Sequence, residues 1–113
     1  MHELSIAMSI VDIIQEEARK QNADSVKELE VEIGKLAGVD TECLSFALES
    51  AIRNTLLEGC DVRINLIPGK CKCLECGKEF DAENLYSSCP DCSSYATKMV
   101  SGTELKIKSF TIN

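Results

Sequence analysis

Basic residues, histidine and long hydrophobic runs are what this 113-residue chain is short of. Lys and Arg number 12 against 19 Asp and Glu, for a net charge of −7. A chain of that balance is poorly suited to neutralising a phosphate backbone and releasing its counterions, so no nucleic-acid partner is expected and an anionic membrane surface is disfavoured. The one histidine, His2, stands beside the start of the sequence. It leaves no His/Ser or His/Cys pair for nucleophilic catalysis, and no glycine-rich phosphate loop precedes a helix, so the chain is not expected to be an enzyme. No apolar stretch approaches the roughly 20 residues of a bilayer span. The first apolar segment is broken by Asp12, Glu16 and Glu17 and has no basic region before it, so a cytoplasmic protein without a membrane span is expected.

Cysteine, by contrast, is plentiful, and its seven copies are an odd number with four in paired Cys-x-x-Cys units. In a reducing compartment that pattern points to metal before disulfides. Around it the hydrophobic periodicity sets out a small α/β (α+β-like) fold. Leu4, Ala7, Met8, Ile10, Val11, Ile14 and Ala18 share a wide arc of a helix over residues 4–20, most of it expected in the core. Val26 to Ile33 alternates, with Leu29, Val31 and Ile33 opposite Glu28, Glu30 and Glu32, which predicts a half-buried strand ended by Gly34. Asp40 offers an N-cap to a second helix running to about Asn54, with Leu44, Ala47, Leu48 and Ala51 on its apolar face. Alternation returns at Val62, Ile64 and Leu66 and closes at Pro68-Gly69, so the first two strands are expected to be parallel. A last strand carries Leu105, Ile107, Phe110 and Ile112, its parity flipping near Ser109. If it pairs with the first, Lys106 and Lys108 face Glu30 and Glu32. The expected architecture is two helices on a small mixed three-stranded sheet, made by residues 1–69 and 102–113. A zinc-ribbon-like module over residues 70–101, without apolar periodicity, is inserted in it.

Within that module Cys73-x-x-Cys76-Gly and Cys89-Pro-x-Cys92 are two knuckles separated by twelve residues, a spacing that presents four sulfurs to one tetrahedral ion. An all-thiolate closed set suits structural Zn(II) and leaves no open position for a substrate. Gly77 supplies the positive φ with which the chain leaves the first knuckle, and Pro90 pre-sets the turn in the second. A redox use of the dithiols is disfavoured because no strand is expected before Cys73. Four lysines in the module face five acids, which with the thiolates leaves no footprint for a phosphate backbone. Phe80, Tyr86 and Tyr95 are expected to form a local mini-core. Cys71 reads as a spare thiol, and Cys43 and Cys60 as small buried hydrophobes.

His2 has two readings. One is a solvated side chain near a terminus. The other is a chelate in which the Met1 amine, the His2 amide nitrogen and the His2 imidazole close fused rings in one plane, a geometry that selects Ni(II) or Cu(II) over Zn(II).

Met1-His2-Glu3-Leu4-Ser5, Phe46-Ala47-Leu48-Glu49, Thr55 with Glu58-Gly59, the two knuckles, and Gly102-x-Glu104-Leu105-x-Ile107, in this order, resemble the HypA family of nickel metallochaperones for NiFe-hydrogenase maturation. The resemblance runs over essentially the whole chain. It implies a non-catalytic delivery protein with nickel as cargo at Met1, His2 and Glu3, and structural zinc at Cys73, Cys76, Cys89 and Cys92. It also implies an accessory GTPase of the HypB type and the hydrogenase large subunit as partners, with urease maturation proteins served by some relatives. Asp40 matches a carboxylate that assists nickel in some relatives. The histidine that completes the nickel site in others, in the zinc module, has no counterpart here, and Cys71 has no family role. The competing reading is a zinc-stapled protein-interaction module whose His2 does nothing. A thiol redox protein is a distant third.

Overall fold

The computed structural model of the chain describes residues 3–113, and these form two helices and six strands. They divide into two compact units. One takes the described residues up to Glu32 with Val39–Asn65 and Lys106–Asn113, and the other takes Ile33–Gly38 with Leu66–Leu105.

In the first unit, helix α1 (Glu3–Lys20) buries Ala7, Ile10, Val11, Ile14 and Ala18, a stripe of helical spacing. The arc is narrower than the sequence suggests, because Leu4 and Met8 are exposed. Strand β1 (Val26–Gly34) turns Leu29 and Val31 fully inward here, and its last two residues, the buried Ile33 and Gly34, fall in the second unit. Helix α2 (Thr41–Ala51) buries Leu44, Ala47 and Leu48. It ends three residues before the expected Asn54, at the Ile52 cap, and Asn54 takes a positive φ in the next turn. That turn is pinned on two sides. Gln15 Oε1 accepts from the Leu56 amide at 3.2 Å, and the Leu56 carbonyl accepts from the Val26 amide at 2.8 Å.

Strands β2 (Asp61–Ile67) and β6 (Leu105–Ile112) flank β1 in the order β2-β1-β6. The Lys35 amide donates to the Ile67 carbonyl, so β1 and β2 end together, as a parallel pair requires. The Asn113 amide donates to the Ser25 carbonyl, so β6 ends where β1 begins and runs the other way. The sheet is therefore mixed. Its polar side carries the expected pairs, with Lys106 Nζ 3.3 Å from Glu32 and Lys108 Nζ 3.9 Å from Glu30. Asn65 Nδ2 also donates to Glu30 at 3.0 Å. Partly exposed pairs of this kind contribute about 0.2–1 kcal/mol each and fix register more than stability. Along β6, Lys108 and Ser109 are both exposed, which is the parity flip read from the sequence, whereas Leu66 on β2 faces solvent against expectation.

The second unit holds a sheet that the hydrophobic pattern does not announce. Strands β3 (Lys70–Cys73), β4 (Glu79–Asp81) and β5 (Thr97–Ser101) pair antiparallel in the order β4-β3-β5. Along β3 the lysines face out while Cys71 and Cys73 face in, so the apolar half of the alternation is carried by sulfur. Backbone crowding fixes two glycines of this unit. A Cβ on Gly34 would collide with the Gly102 carbonyl, and one on Gly69 would lie 2.6 Å from the Ala82 carbonyl oxygen.

Candidate metal centre

Strand β3 delivers Cys73 to the first knuckle and a turn brings Cys76 back over it. The Cys73 amide donates to the Lys78 carbonyl at 2.8 Å, and the Gly77 amide donates to the Cys73 carbonyl at 2.9 Å. The second knuckle repeats this pattern. The Cys89 amide donates to the Ser94 carbonyl at 2.9 Å and the Ser93 amide to the Cys89 carbonyl at 2.8 Å. Both knuckles leave through a residue of positive φ, 78° at Gly77 and 61° at Ser93. The glycine is as predicted. Ser93 was legible only by superposing the two knuckles, since it holds the fourth place after Cys89 as Gly77 does after Cys73.

The four sulfurs of Cys73, Cys76, Cys89 and Cys92 lie within 4.8 Å of one another. Cys73 Sγ is 3.6 Å from Cys92 Sγ, and Cys76 Sγ is 3.6 Å from Cys89 Sγ. A tetrahedron of sulfurs around zinc at about 2.3 Å has edges of about 3.8 Å. The donor set thus fits one tetrahedral ion with little movement. The Cys76 amide, 3.4 Å from Cys73 Sγ, points its hydrogen at that sulfur and is the main reason its pKa is lowered to about 7. Cys92 is pushed up to about 12: the Ser94 amide opposes the shift, but burial and the hydrogen bonds shared with Cys73 and the other two sulfurs outweigh it. Cys73 therefore gives up its proton more readily than Cys92 does.

Cys71 is buried outside this group, its sulfur 3.9 Å from Met99 Sδ. Three expectations fail around the centre. A strand does end at Cys73, although it leads into a turn and not a helix. Tyr86 and Tyr95 are exposed, with only Phe80 of the three aromatics half-buried, because Cys71, Cys73, Ala82 and Cys89 already fill the small interior. Cys43 is exposed and Cys60 half-buried, so neither is a core hydrophobe.

Of the nickel residues suggested by resemblance, Met1 and His2 lie outside the described residues. Glu3 opens α1, and its Oε2 accepts from the Asp40 amide at 3.1 Å. That N–H holds the Glu3 carboxyl below its ordinary range. Asp40 is the N-cap of α2, with Oδ1 accepting from the amides of Glu42 at 3.0 Å and Cys43 at 3.1 Å. The neighbouring Cys43 thiol is pushed up, first by the Asp40 charge and further by burial and by Glu3 and Glu42.

A mixed α+β fold interrupted by a four-cysteine ribbon defines a small metal-handling protein. A family model described as "Hydrogenase/urease nickel incorporation, metallochaperone, hypA" matches residues 1–112. The hydrogenase maturation factor HypA of Parabacteroides distasonis is 46% identical over 112 residues, 99% of this chain and 97% of that protein. Its counterpart in Prosthecochloris aestuarii is 40% identical over 112 residues, 99% of each. The solution structure of the Ni metallochaperone HypA from Helicobacter pylori superposes with a TM-score of 0.69 over 99% of this chain and 97% of that one, and at 24% identity it shows the shared fold. The chain belongs to the HypA family, whose members are nickel-incorporation metallochaperones and hydrogenase maturation factors, not enzymes.

Proposed function

We propose that the chain takes up Ni(II) at its amino terminus and, with a nickel-binding GTPase of the HypB type, passes it to the hydrogenase large subunit in the cytoplasm. The chelate uses the Met1 amine, the His2 amide and the His2 imidazole. One Glu3 oxygen is already engaged by the Asp40 amide, so Glu3 serves the site through its own amide or its remaining oxygen. That engagement is the observation that supports the reading. The residue next to the chelate is tied to the N-cap of α2, and a tied neighbour reduces the conformational freedom that metal binding must remove. Asp40 has a sufficient role in capping α2.

Cys73, Cys76, Cys89 and Cys92 would hold Zn(II), which supplies a closed structural crosslink and no reaction chemistry. Domain boundaries at residues 69/70 and 101/102 accompany this proposal, with 70–101 as the metal-dependent insert. Calorimetric nickel titration of the zinc-loaded protein tests the nickel half. The expected result is one nickel per chain, with affinity falling more than about tenfold in His2→Ala. Equal affinities would favour the interaction-module reading.

A further inference from the structure

The two helices leave a groove of about 580 Å³ between Glu3 and Leu4 of α1 and Glu42, Cys43, Phe46 and Ala47 of α2. It lies wholly in the first unit. Its sides are unusual for a surface. Phe46 is 72% exposed, Leu4 47%, and Met8, one turn beyond Leu4, 54%. Isolated exposed apolar residues need no explanation, but three large ones lining two packed helices form a patch with a cost in water. Among the described residues, the charged side chains that line it, Glu3 and Glu42, are acidic. The first sixteen residues of α1, Glu3–Ala18, and all of α2 contain no Lys or Arg, while Glu3 and Glu42 line the groove, Glu49 follows Phe46 by one turn of α2, and Asp12 follows Leu4 and Met8 at helical spacing.

We infer that this groove is a docking site for a helix of another protein, one that presents a row of aliphatic side chains flanked by Lys and Arg. An apolar row fills the space beside Phe46 as helix-in-groove recognition requires, and the flanking cations meet the acidic edge. A second copy of this chain is the wrong occupant. Two-fold pairing through the patch would bring two acidic rims, each with Glu3 and Glu42, together in molecules that each carry −7. The docking stands independently of the nickel reading. Only its consequence depends on that reading, namely that a partner seated here lies next to Glu3, the neighbour of the proposed chelate.

The test uses a fluorescein-labelled helical peptide with leucines at i, i+3, i+4 and i+7 and lysines at the other positions, titrated with the full zinc-loaded chain and followed by anisotropy. Saturable binding is expected. It should weaken at least about tenfold in Phe46→Ser, the size of effect that removal of a central aromatic anchor has, and also in Glu42→Lys. It should stay unchanged in Tyr86→Ser, which removes an 82% exposed aromatic from the other unit. A peptide with glutamates in place of the lysines should not bind. Equal weakening by Phe46→Ser and Tyr86→Ser, no weakening by either, or equal binding of the acidic peptide overturns the proposal. So does wild-type self-association in sedimentation that Phe46→Ser abolishes. Nickel titration of Phe46→Ser, run in parallel, keeps this result distinct from failure of the nickel reading.

Discussion

Ser93 and Gly77 do the same work in the two knuckles, yet only one of them is free of a side chain that resists a positive φ. A left-handed conformation costs a residue with Cβ about 1–2 kcal/mol. Ser93→Gly should therefore raise the midpoint of metal-loaded unfolding, and Gly77→Ala should lower it by a comparable amount, as read by urea titration. At Asp40 the expected pattern is different. Asp40→Ala should cost about 1 kcal/mol by stranding the Glu42 and Cys43 amides, and Asp40→Asn should cost little, since an Asn oxygen caps as well. Nickel affinity should survive Asp40→Asn. The sulfur cluster also sets a proton count. With Cys73 lowered to about 7, its proton is already gone above that pH and must be expelled by the metal below it. Zinc binding should thus release one more proton per ion at pH 6 than at pH 8, and zinc affinity should fall more steeply with acid below about pH 7. Buffer-dependent calorimetry measures both. The gathering of Cys73, Cys76, Cys89 and Cys92 and the Asp40 cap were legible because spacing and residue type alone determine them. Cys43 was not: it lies one residue from buried Leu44 and four from buried Ala47, and periodicity cannot tell the flank of an apolar face from its centre.

The two sheets owe their order to different things. In the α/β unit, Leu29 and Val31 of β1, Leu44 and Leu48 of α2 and Ile14 of α1 are all fully buried aliphatic residues. Leu29→Ala should cost about 2–5 kcal/mol there while leaving zinc stoichiometry unchanged. Between residues 70 and 101 the buried apolar residues are Cys71, Cys73, Ala82 and Cys89, with no Leu, Ile or Val among them. Such an interior does not offset the chain entropy of some thirty residues, at about 1–2 kcal/mol each for the backbone. Cys76→Ser, or removal of zinc with a chelator, should collapse the amide spectrum of 70–101 while α1 and α2 keep theirs. This contrast explains which elements could be read in advance. Strands β1, β2 and β6 carry the alternation of a sheet with one apolar face. Strands β3 and β4 alternate lysine or acid with sulfur or a lone aromatic, and β5 turns Lys98 and Val100 outward between Thr97, Met99 and Ser101, so the period is present without the hydrophobic signal that reveals it.

Across the whole molecule, the order of motifs from the first residues to the closing strand identified the family, and the fold agrees with it. The sequence did not disclose the groove, since Leu4, Met8 and Phe46 are the same residue types that build a core and only their placement on two packed helices leaves them outside. The proposed chelate stands at the opposite extreme of legibility, since Met1 and His2 would supply two of its three nitrogens from main-chain groups. Amine, amide and imidazole must each lose a proton to bind, so nickel affinity should decline as pH falls through the reference range of about 8 to 6. The most direct test is a nickel titration of three zinc-loaded proteins side by side: one with a free Met1 amine, one with a single residue added ahead of Met1, and His2→Ala. The added residue turns the amine into an amide while every native side chain stays, and it should weaken nickel binding as much as His2→Ala does. Undiminished binding in the extended protein would contradict the account.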